Sequence, residues 1–356
     1  IIENNSAIEF FKYGAFGQIS KEFFKDKLLV SAGIRTDINS FTDNGNNPFN
    51  TLSPRISAAY HLSKKWDLTA SIGSYYKIPT YTTLGYRNAG SDLSNRSLDY
   101  IQSDHYVLGT QWLPTTGLRI TVEGFYKDYS NYPVSLINGI SLANQGQEFG
   151  AVGNEEVTSI GSGQTYGFEV FLQQKLVKNI FYVFSYSHVR SLFSGEDGEL
   201  IPSAWDSKHL LSTTFGWNFG KNWKLGLKYR FSGGVPYTPF DLVASQQAYA
   251  VSGNGVLDFQ NVNSERLRFF NQLDFRLDKI VNLKKVSFNF YVDIQNILGF
   301  DQETPPFYTF KRNEDNTGFA TTDGQPLQSS GSNAIPVLIA NDQSTVTPTI
   351  GVIFEF

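Results

Sequence analysis

The chain has 356 residues, of which 15% are aromatic, with 19 Tyr and 30 Phe, while only 17% are charged, below the roughly 25% of ordinary soluble domains. A formal charge of −4 leaves no basic footprint and argues against nucleic acid as a partner. Zero Cys removes disulfides, thiolate metal sites and Cys nucleophiles together.

No run approaches the ~18 to 20 uninterrupted apolar residues of a membrane helix. A mean hydropathy of −0.25 does not exclude a membrane strand, which shows lipid only every second residue. Length alone does not separate two soluble domains from one closed sheet.

Runs of about ten residues alternating apolar and polar recur through the chain, which is the membrane-strand signature. They predict thirteen strands, near residues 10–23, 27–41, 53–62, 66–78, 101–113, 117–129, 165–177, 180–193, 208–219, 222–231, 269–278, 286–296 and 348–356. In the fourth, Trp66, Leu68, Ala70 and Ile72 oppose Asp67, Thr69, Ser71 and Gly73; in the sixth, Leu118, Ile120 and Val122 oppose Arg119, Thr121 and Glu123. The tenth sets Trp223, Leu225, Leu227 and Tyr229 against Lys224, Gly226, Lys228 and Arg230.

A soluble sandwich also alternates, so the connections carry the discrimination. Short turns fall at 24–26, 63–65, 114–116, 178–179, 220–221 and 279–285, and they alternate with longer polar links at 42–52, 79–100, 130–164, 194–207, 232–268 and 297–347. Outer-membrane barrels have this pattern, with short periplasmic turns and long extracellular loops. The expected class is therefore all-β: a transmembrane antiparallel β-barrel in the bacterial outer membrane, with residues 1–356 forming one part of a single barrel domain. An odd strand count places the start of the chain in an extracellular loop, so the expectation is a C-terminal fragment whose first strands lie elsewhere.

The terminal PTIGVIFEF (348–356), ending on Phe356, resembles the last strand that outer-membrane proteins present to the barrel-assembly machinery. SPRISAAYHLSKKWDLTASIGSYYKIPT (53–80), SDHYVLGTQW (103–112), YGFEVFLQQKL (166–176), PSAWDSKHLL (202–211), FNQLDFRLDKI (270–280) and FYVDIQNILGF (290–300) follow in the order seen in TonB-dependent transporters. The chain resembles the C-terminal barrel portion of that family, the Bacteroidetes type in particular.

The resemblance implies a larger barrel, of the 22-strand type, filled by an N-terminal plug. It also implies active uptake of a siderophore, cobalamin, glycan or peptide, with TonB acting through the plug and a surface lipoprotein as a possible accessory. The plug and the TonB-binding segment have no counterpart in these residues, and the motif expected before the 101–113 strand survives only as Asn95, Leu98 and Tyr100. A passive porin-like channel is the main alternative, and a barrel enzyme or adhesin a lesser one.

Metal, cofactor and catalytic readings find little support. His61, His105, His188 and His209 share no ligand spacing, and Asp104–His105 has no opposing pair of carboxylates. Gly161 and Gly163 beside Ser162 read as loop glycines, because no helix follows them. Asn313–Glu314–Asp315–Asn316 lacks the ligand periodicity of a Ca²⁺ loop and reads as a solvated tip.

Trp66, Trp112, Trp217 and Trp223 suit an interfacial girdle. Arg35, Arg55, Arg119, Glu123, Glu169, Lys224, Arg230, Asp274, Arg276 and Asp293 are assigned to the lumen, where water or a plug meets their charge. Tyr81, Tyr86, Arg87, Tyr132, Trp205, Tyr237, Arg312 and Asn313 are the expected ligand contacts, being aromatic or polar and on the long links.

Overall fold

The computed structural model describes residues 7–146 and 152–356; a short stretch of the predicted 130–164 link, residues 147–151, lies outside the described residues. Twelve wall strands come first: β1 (Lys12–Phe23), β2 (Leu28–Asn39), β3 (Ser53–Ser63), β4 (Trp66–Lys77), β5 (Ile101–Thr115), β6 (Leu118–Ser135), β7 (Val157–Val177), β8 (Ile180–Ser194), β9 (Lys208–Phe219), β10 (Trp223–Ser232), β11 (Phe270–Asn282) and β12 (Ser287–Gln295). Strands β13 (Gln302–Phe310) and β14 (Pro336–Gln343) pair only with each other, and β15 (Thr347–Glu355) returns to the wall beside β12. Among the described residues each wall strand is antiparallel to the next in sequence, in one path from β1 to β15. The thirteen alternating segments are the thirteen strands of this path.

The short turns are as tight as their residues demand. Between β7 and β8 only Lys178 (φ 49°) and Asn179 (φ 66°) intervene, and two left-handed residues give the twist that lets adjacent strands stay paired. Every tight turn lies at one end of the wall and every long link at the other.

The register builds two unlike faces. Ile34, Ile56 and Ile72 stand exposed on one face, with Tyr106 and Leu108 further along it. Cross-strand pairs Ile56↔Ile72, Ala70↔Leu108 and Thr110↔Val122 continue that face around the wall. On the other face the charges find one another: Arg35 with Asp37 at 2.7 Å, Arg230 with Asp274 at 3.5 Å, and Arg276 with Asp278 at 2.9 Å and Asp293 at 3.5 Å. A charge facing lipid has no such compensation, whereas one facing a wet or protein-filled lumen does.

Asp104 and His105 fall on opposite faces, as consecutive strand residues must. Asp104 accepts from Ser74 Oγ at 2.5 Å, while His105 Nε2 lies 2.9 Å from Ser103 Oγ. They form no acid–base pair.

Three features of the links differ from expectation. Strands β6 and β7 run on to Ser135 and back to Val157, pairing at Tyr132↔Gly161 and Val134↔Thr158, so Gly161 and Gly163 are strand residues rather than loop glycines. A Cβ on Gly163 would collide with the Phe193 ring and one on Gly161 would stand 2.7 Å from the Tyr132 carbonyl, the close approach that strand glycines permit. Beyond the bilayer both faces of a strand meet water or loops, so the extension needs no apolar alternation and leaves none in the sequence.

The 297–347 link holds the β13–β14 hairpin. The 232–268 link holds α2 (Leu242–Ser252), which follows the single-turn α1 (Tyr81–Leu84) in chain order. Helix α2 starts where Asp241 accepts from the N–H groups of Val243 and Ala244, a capping arrangement worth about 1 kcal/mol. No described helix is long and apolar enough to cross a membrane.

The apolar core sits in the links. Phe41, Ile78, Leu84, Leu98, Tyr100, Leu142 and Val157 pack together as one buried cluster. Tyr308, Phe310 and Ala334 form a second, covered by Phe240, Tyr249 and Phe319.

Candidate functional site

A wall strand needs only about 9 to 11 residues to cross the hydrocarbon, so β6 and β7 stand well above it and the long links build a cap on them. Buried amides staple that cap. Asn95 donates from Nδ2 to the carbonyls of Thr83 (2.7 Å) and Glu155 (2.8 Å), and its Oδ1 accepts from Val157 N at 3.1 Å. Asn144 donates to Pro202 O at 2.9 Å, and Asn263 donates to Asn144 O at 2.9 Å. Four links far apart in sequence are thereby joined.

The strongest joint is Asp206, whose side chain is 0% exposed. Its Oδ1 accepts from Ser191 N at 2.8 Å and from Arg190 Nε at 3.2 Å, and its Oδ2 from Arg266 Nη2 at 2.5 Å. Arg266 also donates from Nη1 to the carbonyls of Asp206 (2.6 Å) and Gly234 (2.9 Å). One carboxylate thus ties the end of β8 to two links.

These joints surround a cavity of about 600 Å³, within the usual range for small-molecule sites. Its wall comes from seven parts of the cap. Thr80 and Thr83 come from the link before β5, Ile101 from the start of β5, and Tyr132 and Pro133 from the end of β6. Leu142, Gln145 and Val152 belong to the next link, Ala204 and Trp205 to the β8–β9 link, Val235, Pro236 and Leu267 to the β10–β11 link, and Glu303 to Pro305 to the start of β13.

Phe193, only 2% exposed, supports the aromatic side of this space from beneath. Its ring centroid is 4.7 Å from that of Tyr132 and 6.3 Å from that of Trp205. Trp205 is half-exposed, so one side of the indole packs and the other remains open to a guest.

Among the described residues no Lys or Arg lines the space, and Glu303 is the one carboxylate that does. Glu303 Oε2 accepts from the Arg268 backbone N–H at 2.5 Å. Nearby, burial pushes the Tyr237 phenol above its ordinary pKa, and the negative charges of Glu265 and Glu303 add to the rise; the phenol stays protonated and can donate.

The structure brings Tyr132 and Trp205 together at the cavity, with Tyr81 and Tyr237 immediately beside lining residues Thr80 and Pro236. It does not bring the other four. Arg87 donates to Ser91 O at 2.8 Å within its own turn; Tyr86 belongs to the same turn, before the Arg87–Leu93 bridge. Arg312 donates to Asn316 O at 2.9 Å, and Asn313 Oδ1 accepts from Thr317 N at 2.9 Å and Gly318 N at 3.2 Å, closing a loop tip on itself.

Several lining residues that sequence reasoning passed over, among them Leu142, Val152, Leu267 and Ile101, are apolar. Isolated apolar residues inside otherwise polar links were their signal. Among the described residues no three His, Cys, Asp or Glu side chains converge on a metal position.

Solved structures resemble this architecture at low identity. The ferric citrate transporter FecA in its unliganded form aligns with TM-score 0.59 at 13% identity over 97% of this chain and 45% of its own. The ferric-catecholate import receptor Fiu of E. coli K12 aligns with TM-score 0.58 at 12% identity over 96% and 45%. The ferripyoverdine receptor of Pseudomonas aeruginosa aligns with TM-score 0.56 at 13% identity over 96% and 38%.

At such identity the likeness shows the fold, and the chain spans less than half the length of each. No curated protein sequence matches it. The family model described as TonB dependent receptor-like, beta-barrel, however, matches residues 2–297, most of the alternating wall and of the cap on it, and the chain therefore belongs to the TonB-dependent receptor β-barrel family of outer-membrane receptors and transporters.

Proposed function

We propose that residues 1–356 form the C-terminal part of the barrel domain of a transporter that takes up a scarce nutrient, a siderophore, cobalamin, glycan or peptide, by TonB-dependent active uptake. The cavity carries this reading: links from widely separated strands converge on one apolar, aromatic-lined space at the extracellular end of the wall. A receptor requires such a space, and a simple diffusion channel does not. The similar structures are receptors and transporters of iron chelates, which makes a ferric siderophore the first nutrient to test. With no cation among its described lining residues, the space favours a guest held through apolar faces over one held by paired charge.

Further barrel strands and a plug belong to the same proposal. Strands β1 and β15 each have a single wall neighbour among the described residues, and an unpaired backbone group in lipid costs several kcal/mol. A plug would meet the charged lumen face, TonB would act through the plug, and the barrel-assembly machinery would read Phe356, which stands 99% exposed beyond β15. A surface lipoprotein that closes over the cap is the remaining proposed partner.

The test uses cells carrying the complete gene, supplied with each candidate nutrient as sole source and with TonB present or deleted. Growth on one nutrient that requires both the gene and TonB, and that weakens with Trp205→Ala, supports the reading. Uptake that survives loss of TonB identifies a passive channel and overturns it.

A further inference from the structure

Charge is sorted between the two ends of the wall. The short turns occupy residues 24–27, 64–65, 116–117, 178–179, 220–222 and 283–286. They hold eight of the chain's 18 lysines (Lys25, Lys27, Lys64, Lys65, Lys178, Lys221, Lys284 and Lys285), no Arg, and one acid, Asp26. At the opposite end the long links carry a single Lys, Lys311, among many carboxylates. The eight turn lysines form an exposed cationic rim.

Two independent observations give this rim a partner. Every ion pair among the described residues is made by Arg or His, so among those residues no carboxylate pairs with a turn lysine. At most they touch neutral groups: Lys65 Nζ donates to Pro114 O at 2.8 Å.

The second observation is depth. Trp66 and Trp112 pair across β4 and β5 next to these turns, and Trp217 and Trp223 flank the 220–222 turn. Trp66, Trp112 and Trp217 are all half-exposed, and Lys279 Nζ lies 5.0 Å over the Trp223 ring. Such rings sit at the headgroup level of a bilayer, and a lysine stem there extends its ammonium into the phosphate layer.

We infer that the periplasmic rim of this barrel is a binding surface for anionic phospholipid headgroups, held by the turn lysines beneath the tryptophan belt. The chemistry is ammonium to phosphate, and the source is the periplasmic leaflet. Lysine suits this better than arginine here, because a mobile point charge follows a fluid headgroup layer, while the planar guanidinium favours fixed bidentate partners. The extracellular end reserves Arg for such fixed partners, as at Asp206. The inference is independent of the transported ligand and of TonB.

The experiment uses the complete receptor in detergent, loaded with equimolar phosphatidylglycerol and phosphatidylcholine and read by native mass spectrometry for retained lipid. Phosphatidylglycerol should be retained at least tenfold over phosphatidylcholine, with the preference falling as salt rises. The quadruple variant Lys64→Gln, Lys65→Gln, Lys284→Gln and Lys285→Gln changes only exposed turn residues, and its fold is checked by circular dichroism. It should lose most of the preference, at about fivefold per lysine for those that touch lipid, whereas Lys311→Gln should leave the preference unchanged. Equal retention of the two lipids, or a preference that survives in the folded quadruple variant, overturns the proposal. So does displacement of the lipid by millimolar inorganic phosphate at constant ionic strength, which would assign the rim to a soluble anion.

Discussion

The wall and the cap are made from one chain by opposite means. Along the wall below the cap no large apolar side chain is fully buried, since one face meets lipid and the other the lumen; Val134, Phe193 and every residue of both buried clusters belong to a link or to the extracellular end of a strand. The wall is held by a repeating ladder in which each position resembles the next. The cap is held by single events, such as Asn95, Asp206 and Phe193, each of which has one partner set and no repeat. A repeating structure tolerates change at most positions and fails where the pattern is inverted, whereas a structure of unique joints fails wherever a joint is removed.

The largest expected effect inverts the pattern. Leu108 is 68% exposed on the outward face, four residues from the Trp112 belt. Leu108→Lys should cost about 2 to 4 kcal/mol, the range for a lysine near the bilayer midplane. Val107→Lys, which turns to the lumen beside Glu123, should be mild. Reversible unfolding in lipid compares the two, and equal sensitivity would mean that the faces are wrongly assigned.

Removing a joint comes next. Asp206→Ala leaves Arg190 and Arg266 without their carboxylate, and both guanidiniums keep roughly a quarter of their surface in water. The loss should therefore fall below the 3 to 5 kcal/mol of a fully buried pair, at about 2 to 3 kcal/mol. It should appear as faster hydrogen exchange in residues 195–207 and 233–269 while β1 to β6 stay protected. Exchange that rises evenly through the wall would show that cap and wall are one cooperative unit.

Gly163→Ala sharpens the boundary between the regions, since it places a methyl against Phe193 inside a wall strand that has become part of the cap. About 1 to 3 kcal/mol is expected for such overpacking, together with weaker ligand binding from the displaced Tyr132 and Trp205. A fully active, equally stable variant would mean that Phe193 has room to move. Asn95→Ala, which strands the Thr83 and Glu155 carbonyls and the Val157 N–H, should cost roughly 1 to 3 kcal/mol. Limited proteolysis of the 79–100 link reads its effect.

The smallest perturbation only reports sidedness. Cysteines at Ser91 or Ser330 should react with an impermeant maleimide on intact cells, and one at Thr116 should not. The reverse labelling would turn the whole molecule over.

Much of this protein was determined by its sequence alone. The number and order of the wall strands, their boundaries apart from the extended ends of β6 and β7, the outward and lumen faces, and the separation of turns from links follow from a period of two repeated thirteen times, because register in a sheet is local and a slip of one residue reverses every side chain. Phe193 with Gly163, Asp206 with its two arginines, and the gathering of Tyr132 and Trp205 into one cavity were decided only by tertiary structure. In each case the partners come from segments whose spacing carries no period, such as Asp206 and Arg266, 60 residues apart. The same reason explains why Arg312 and Asn313, so suitable by type, close a loop tip instead: residue type specifies what a side chain is able to bind, and only the folded cap specifies what it reaches.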